Sequence, residues 1–364
     1  LPGVSSAATV MANHCSEFIA SDYARTGVLE GNPIHRDMIY AAEQAKLVGE
    51  AKFFRAFNRF YLIRTFGSFP DERHASSWLS MEKAYLKVEK DLLDAIATLP
   101  EKNFQENNSH VTAFTARALL GDVYLHMSGK PLQKNKYVQA AAILRPVILS
   151  EKHHIAANGA NEEMSAINTL RTTPTNDEYL YVVYGETSLT RASFAFPKMA
   201  RNWDNVKEHV AFNAFKPIRA FMSCYAEGDI RGKDRQYFHT FFKVKDEGKT
   251  IFEIFAPAPY FWLTSGSDIA ASNKQYIGIY RYAEVLLINA EANAELGQCT
   301  QAVLDQTINL LRDRVDMPHL TTTPVADPAA INYGYSVSPL IYEIRRERRI
   351  ELIAEGFRLD DLKR

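Results

Sequence analysis

The sequence predicts a mainly α fold: helical hairpins at both ends, with an irregular, loop-rich lobe carrying minor β-structure inserted between them. Three observations lead there. Long segments near both ends carry apolar residues at helical spacing and are closed by glycine or proline. The middle, about Ala156 to Asn273, turns rich in Asn, Thr, Pro and aromatics, with short runs of strand type. No stretch alternates strand and helix in the parallel βαβ pattern. The expected layout is one unit over 1–364, divided into lobes at 45–155, 156–274 and 275–364.

The first helix is expected over Ala45 to Phe66, ended by Gly67 and Pro70. Phe53, Phe54, Phe57, Phe60 and Tyr61 give it a wide aromatic face, with Glu50 inside that face and Arg64 at its edge. A second helix is expected over Met81 to Leu99, with Leu86, Leu92, Leu93 and Ile96 inward. A third starts near Val111, where Ala113, Ala116, Ala118 and Gly121 interleave with Leu119, Leu120, Tyr124 and Leu125. Small residues in that alternation let a neighbouring helix come close. A fourth runs from Tyr137 to Ser150, bent or restarted at Pro146. The pairs resemble tetratricopeptide repeats, although the spacing drifts from the usual value of about 34 residues and the signature Trp is missing.

In the middle lobe, Glu178 to Gly185 and Tyr237 to Lys245 read as strands, and the stretch ending at Tyr225 reads as a short helix. Asp229 and Arg231 read as a structural turn. A helix resumes at Tyr276 and closes at Gly297. Its pair runs from Gln301 to Val315, and a Thr/Pro loop leads to a last helix over Ile344 to Arg364.

With 42 basic and 43 acidic residues, nothing points to nucleic acid. No apolar run reaches the length of a membrane span. No signal peptide is visible, and the first residue is Leu1 rather than Met, which leaves room for a leader ahead of it. Cys15, Cys224 and Cys299 lack metal-type spacing; three free thiols are expected, with one disulfide as the alternative. Neither a metal nor a cofactor is expected.

The last segment, IRRERRIELIAEGFRLDDLKR, mixes arginines with isoleucines on every side. A helix that is apolar on most sides is buried on most sides, and its arginines then need carboxylates. Glu284, Glu291 and Glu295 fall on one narrow stripe of the helix after Arg281. The sequence therefore predicts an ion-pair network of Glu284, Glu291, Glu295 and Glu50 with Arg345, Arg346, Arg348 and Arg349. Its role would be to fix helix register.

Three segments, GEAKFFRAFNRFYLIRTFGSFP, YRYAEVLLINAEANAELG and the terminal one, together resemble the SusD/RagB family of nutrient-binding outer-membrane lipoproteins of Bacteroidetes. EKDLLDAIATLP, the Ala-rich third helix, the GDIR at Gly228 to Arg231, with Asp229 and Arg231, and INLLRDRV near Arg312 echo it in the same order. The resemblance implies a helical scaffold of four repeat-like pairs, a surface position on the outer membrane, an N-terminal lipid and a SusC-type TonB-dependent transporter as partner. It implies binding of an oligosaccharide, or of a peptide, without catalysis. The lipid-bearing Cys is absent, and Cys15 lacks a lipobox-like context.

These motifs are structural and do not locate the ligand. A sugar needs a flat apolar face beside polar groups. That chemistry directs attention to the loops: Trp78, Trp203 and the run Tyr260, Phe261 and Trp262, with Arg73, Asn202 and Asp268 as polar companions. For each Trp, burial in a core is the competing reading. Competing functions also stand. One is a peptide site, which needs a larger cavity. Another is an interaction scaffold without a small ligand. A third is a glycoside hydrolase, which needs two carboxyls about 5–10 Å apart across a cleft.

Overall fold

The computed structural model describes residues 33–71, 74–186, 217–246, 249–262, 274–326 and 337–364. Arg73, Asn202, Trp203 and Asp268, all named above, lie outside them, as does Cys15. The chain divides into two compact units: residues up to Lys152 together with Leu362–Arg364, and His153–Asp361.

Among the described residues, the first unit holds the helices α1 (Pro33–Phe66), α2 (Met81–Ile96), α3 (Ala113–Ser128) and α4 (Tyr137–Leu149). A small hairpin, β1 (Pro70–Asp71) and β2 (His74–Trp78), joins α1 to α2. α1 begins earlier than expected, with Pro33 at its first position, where a missing N–H costs nothing. Ser80 caps α2, its Oγ accepting from Lys83 N. Thr112 and Thr115 form a reciprocal capping box at the start of α3.

α3 is buried along its length except at Arg117, and α2 and α4 pack against it. Gly121 makes the α4 contact possible. A Cβ there would meet Leu144 side-chain atoms at 2.8–2.9 Å. α4 continues through Pro146 without a restart. The carbonyl that loses its partner belongs to Ala142, an exposed residue, so water can satisfy it. Buried Asp91 ties α1 to α2, accepting from Arg59 at 2.7 Å and from Arg55 at 2.6 and 2.9 Å.

In the second unit, α5 (Ala166–Thr172) precedes β3 (Tyr179–Glu186). α6 (Arg219–Met222) and a short 3₁₀ turn, Ile230–Gly232, lead to the hairpin β4 (Phe238–Asp246) and β5 (Lys249–Pro259). A second 3₁₀ turn, Tyr260–Trp262, follows β5. Then come β6 (Lys274–Arg281), α7 (Tyr282–Glu295), α8 (Gln301–Asp305), α9 (Ile308–Arg314), α10 (Pro339–Glu351) and α11 (Arg358–Lys363).

Three expectations are corrected here. The segment from Tyr276 starts as a strand, because Lys274–Arg281 pairs antiparallel with β3 from Tyr179↔Arg281 to Glu186↔Lys274. Its aromatic and β-branched residues suit a ladder, and α7 begins only at Tyr282. The helix expected over Gln301 to Val315 is two helices, broken at Gln306 and Thr307. The last helix also breaks, between Glu351 and Arg358, where Ala354 (φ 65°) and Gly356 (φ 94°) adopt the left-handed conformation.

α7 is buried from Tyr282 to Ala292, with α8, α9 and α10 against it. Beside it, Ile167, Phe221, Tyr225, Tyr237, Phe238 and Ile350 form an apolar core cluster. Thus sequence from both the middle and the end of the chain shares one unit.

Candidate ligand site

Two side-chain clusters stand out in the second unit. The first is a charge network centred on Glu351, which is fully buried on α10. Arg281 Nη1 donates to Glu178 Oε1 and Glu351 Oε1, 2.7 Å to each, and its Nη2 donates to Glu355 Oε1 at 2.7 Å. Arg314 donates to Glu178 Oε2 at 2.9 Å and also to Glu351. Arg231 donates to Asp229 Oδ2 at 2.8 Å, Glu347 Oε1 at 2.5 Å and Glu351 Oε2 at 2.9 Å. Burial by itself would raise the Glu351 carboxyl, but Arg314, Arg281 and Arg231 hold it well below the usual range. Glu355 goes the other way, raised by burial that Arg281 only partly offsets.

The stripe expected to meet the last helix engages it at two arginines. Arg345 donates to Glu291 Oε1 at 2.9 Å and to Glu295 Oε1 at 2.8 Å. Arg348 lies 3.5 Å from Glu284 and donates to Asp361 Oδ2 at 2.9 Å. The expected network is corrected at three members. Arg346 donates to Glu343 on its own helix and to Cys224 O. Arg349 lies over the Phe221 ring, 5.1 Å from its centroid. Glu50 belongs to the first unit, where it takes His110 Nδ1 at 3.2 Å.

In the sequence alone Arg281, Arg314, Glu178, Glu347, Glu351 and Glu355 carry no signalled role, and Asp229 and Arg231 read as a turn. The available signal was Glu347 and Glu351, one helical turn apart among the arginines. Every one of these carboxylates accepts from an arginine, which suits a structural lock. Among the described residues, no group of three or more His, Cys, Asp or Glu side chains is arranged to hold a metal ion.

The second cluster is aromatic. Tyr260 is half-buried in the 3₁₀ turn after β5, and the Arg171 guanidinium sits over its ring at 4.5 Å. His239 stands beside the ring, tilted by 56° with 6.2 Å between centroids, and Asp234 Oδ1 fixes the His239 imidazole at 2.9 Å. Phe261, the next residue, turns inward onto Tyr237 at 5.3 Å. Trp262 completes the turn.

Arg171 is buried, and burial lowers its affinity for its proton. Tyr276 on β6 and Tyr179 on β3 both donate to Leu170 O at 2.8 Å, placing their rings beside the same helix end. Burial pushes the Tyr276 phenol up. Tyr184, opposite Tyr276 in the ladder, is 48% exposed.

Trp78 ends β2 in the first unit and is 59% exposed, so its ring is open to solvent rather than part of a core. Arg171, Tyr276 and Tyr184 were not anticipated. Their segments read as loop, helix and plain strand.

Two family profiles match the chain: one described as the SusD family, over residues 262–364, and one described as starch-binding associating with outer membrane, over residues 32–125. Both matched segments are SusD-family sequence. The first profile spans the SusD-family elements that carry Arg281, the Glu284–Glu295 stripe and Glu351. A SusD homolog of known structure from Bacteroides thetaiotaomicron superposes with a TM-score of 0.70 at 19% identity, over 96% of this chain and 72% of that one. Surface glycan-binding protein A from Bacteroides uniformis gives 0.68 at 17%, over 96% and 71%. These likenesses establish the SusD-like helical fold.

In sequence, SusD-like protein P38 of Formosa agariphila is 37% identical over 86 residues, 24% of this chain and 16% of that protein. A further stretch of 47 residues is 70% identical to lactate racemase of Thermoanaerobacterium thermosaccharolyticum, covering 13% of this chain and 11% of the enzyme. Each match spans far less than two thirds of the relative's length. No helix among the described residues is long and apolar enough to cross a membrane.

Proposed function

We propose that this protein binds oligosaccharide at the cell surface, without catalysis, and passes it to a SusC-type TonB-dependent transporter in the outer membrane. The observation that carries the reading is the Tyr260 ring, half-buried against Arg171 and adjoined by His239, in a chain with SusD-family segments. An aromatic face takes the C–H side of a pyranose, and neighbouring N–H groups take its hydroxyls. Trp78 in the first unit offers a second open ring. Support for a glycan over a peptide comes from relatives of the same fold named for surface glycan binding and for laminarin binding.

A lipid anchor and outer-membrane location belong to the same proposal, as does the transporter. The lactate racemase similarity covers 11% of that enzyme, too little to carry its activity here. The carboxylates of the Glu351 network are each engaged by arginine, which argues against a pair free for hydrolysis.

The test is affinity electrophoresis and calorimetry with laminarin, starch and a peptide panel, on wild type, Trp78→Ala and Tyr260→Ala. Glycan retardation that weakens in either variant supports the reading. Peptide binding alone, or glycan binding untouched by both substitutions, overturns the site. Hydrolysis of a bound glycan that disappears with a single carboxylate would overturn the non-catalytic reading. Co-purification with a large outer-membrane β-barrel tests the partner.

A further inference from the structure

Tyr260 is held from behind by a chain of buried polar contacts. Ser165 caps α5, its Oγ accepting from Asn168 N at 3.1 Å. Asn168 Nδ2 donates to the carbonyls of Glu162 and Arg235, 3.1 Å each. Its Oδ1 then accepts from Arg171 Nε at 2.9 Å, which fixes the plane of the guanidinium. Arg171 Cζ lies over the Tyr260 ring, 4.5 Å from its centroid, and Arg171 Nη2 lies 3.5 Å from the phenol oxygen. The backbone beside the ring is fixed too: Phe261 N donates to Tyr237 O at 3.1 Å, and the Phe261 side chain enters the core.

We propose that Arg171 is a positioning residue for glycan binding, acting through Tyr260. This rests on the glycan-binding reading above. A planar cation stacked on one side of an aromatic ring sets its tilt, and in a desolvated setting the attraction is strong. A ring already fixed in the bound orientation loses little freedom when a sugar settles on it. The rigid support runs from the backbone through Asn168 and Arg171 to the ring, so the ligand meets a prepared surface. Lysine cannot substitute fully, because an ammonium has no plane to stack and cannot match the Asn168 contact in the same geometry.

The experiment is a double-mutant cycle read by affinity for laminarin and for starch. Arg171→Met should weaken binding by up to about tenfold, the cost of immobilising one freed side chain on binding. Arg171→Lys should recover part of that loss. Tyr260→Leu should weaken binding more, and adding Arg171→Met to Tyr260→Leu should change nothing further. Thermal melting of each variant checks folding. If Arg171→Met does not fold, the comparison of Arg171→Lys with Arg171→Lys/Tyr260→Leu decides. An additive effect in the double variant, or unchanged affinity in the single one, overturns the proposal. Wild type that binds neither polysaccharide overturns the glycan reading itself, and with it this inference.

Discussion

The guanidinium of Arg281 reaches Glu178 at 2.7 Å across 103 residues of chain. One arginine on the last residue of a strand thereby fastens the entry to β3 and the end of α10, since the same Nη1 also serves Glu351. Buried ion pairs contribute little net stability compared with apolar packing, but removing one member leaves the other charged and uncompensated.

Arg281→Met is therefore expected to destabilise the second unit by about 3–5 kcal/mol. Glu178→Gln should cost less, because the amide oxygen still accepts one arginine. Urea titration of both variants measures this. A loss below about 1 kcal/mol for Arg281→Met, the size of an exposed pair, would remove the network from the account of the fold.

Glu351 and Glu355 give the pH dependence opposite signs. Glu351 is depressed, so its contribution is present above the unfolded glutamate value, about 4.3, and is lost as pH falls below it. Glu355 is raised by burial, so its contribution favours the folded state at acid pH and fades as pH rises above that value. Glu355→Gln should then exceed wild type in urea midpoint near pH 7, with the gap narrowing toward pH 5. A constant or widening gap would contradict the direction given for Glu355.

Gly121→Ala should destabilise the first unit even though alanine favours helix by about 1 kcal/mol. The added Cβ would stand 2.8 Å from Leu144, which is fully buried. Overpacking of this kind costs about 1–3 kcal/mol. Leu144→Val in the same chain should return part of the loss. A melting temperature for Gly121→Ala above wild type would mean that α4 moves aside freely.

Thr112→Val keeps the shape of the buried Thr112 side chain but removes the hydroxyl that accepts from Thr115 N at 3.2 Å. Loss of this cap should cost about 1–2 kcal/mol, read by chemical denaturation. Ser80→Ala, at a cap bond of 3.4 Å with more exposure, should cost less. The reverse ranking would locate the start of the third helix elsewhere in the energetics.

The helices of the first unit were legible because their apolar residues recur at helical spacing, glycine or proline closes them, and small residues such as Gly121 mark the α3 contact; the caps at Ser80 and Thr112 emerged only with the structure. The acidic stripe on α7 was legible for the same reason, since Glu284, Glu291 and Glu295 share one helix face. Lys274–Arg281 was not legible as strand, because its run of aromatics continues smoothly into α7. Only pairing with Tyr179–Glu186 made it a ladder. Arg171 was hidden in TLRTT, a stretch that reads as loop.

What the sequence determined by itself was the helical character, the family resemblance, and the need for carboxylates to meet the terminal arginines. These depend on spacing within a segment, and spacing is local. Tertiary structure alone decided which carboxylates answer which arginines: Glu178 and Glu351 for Arg281 and Arg314, Asp229 and Glu347 for Arg231, and the Phe221 ring for Arg349. It also set Arg171 against Tyr260. The physical reason is that an ion pair or a stacked cation is a contact between distant segments, and its partner is fixed by packing, which no window of sequence contains.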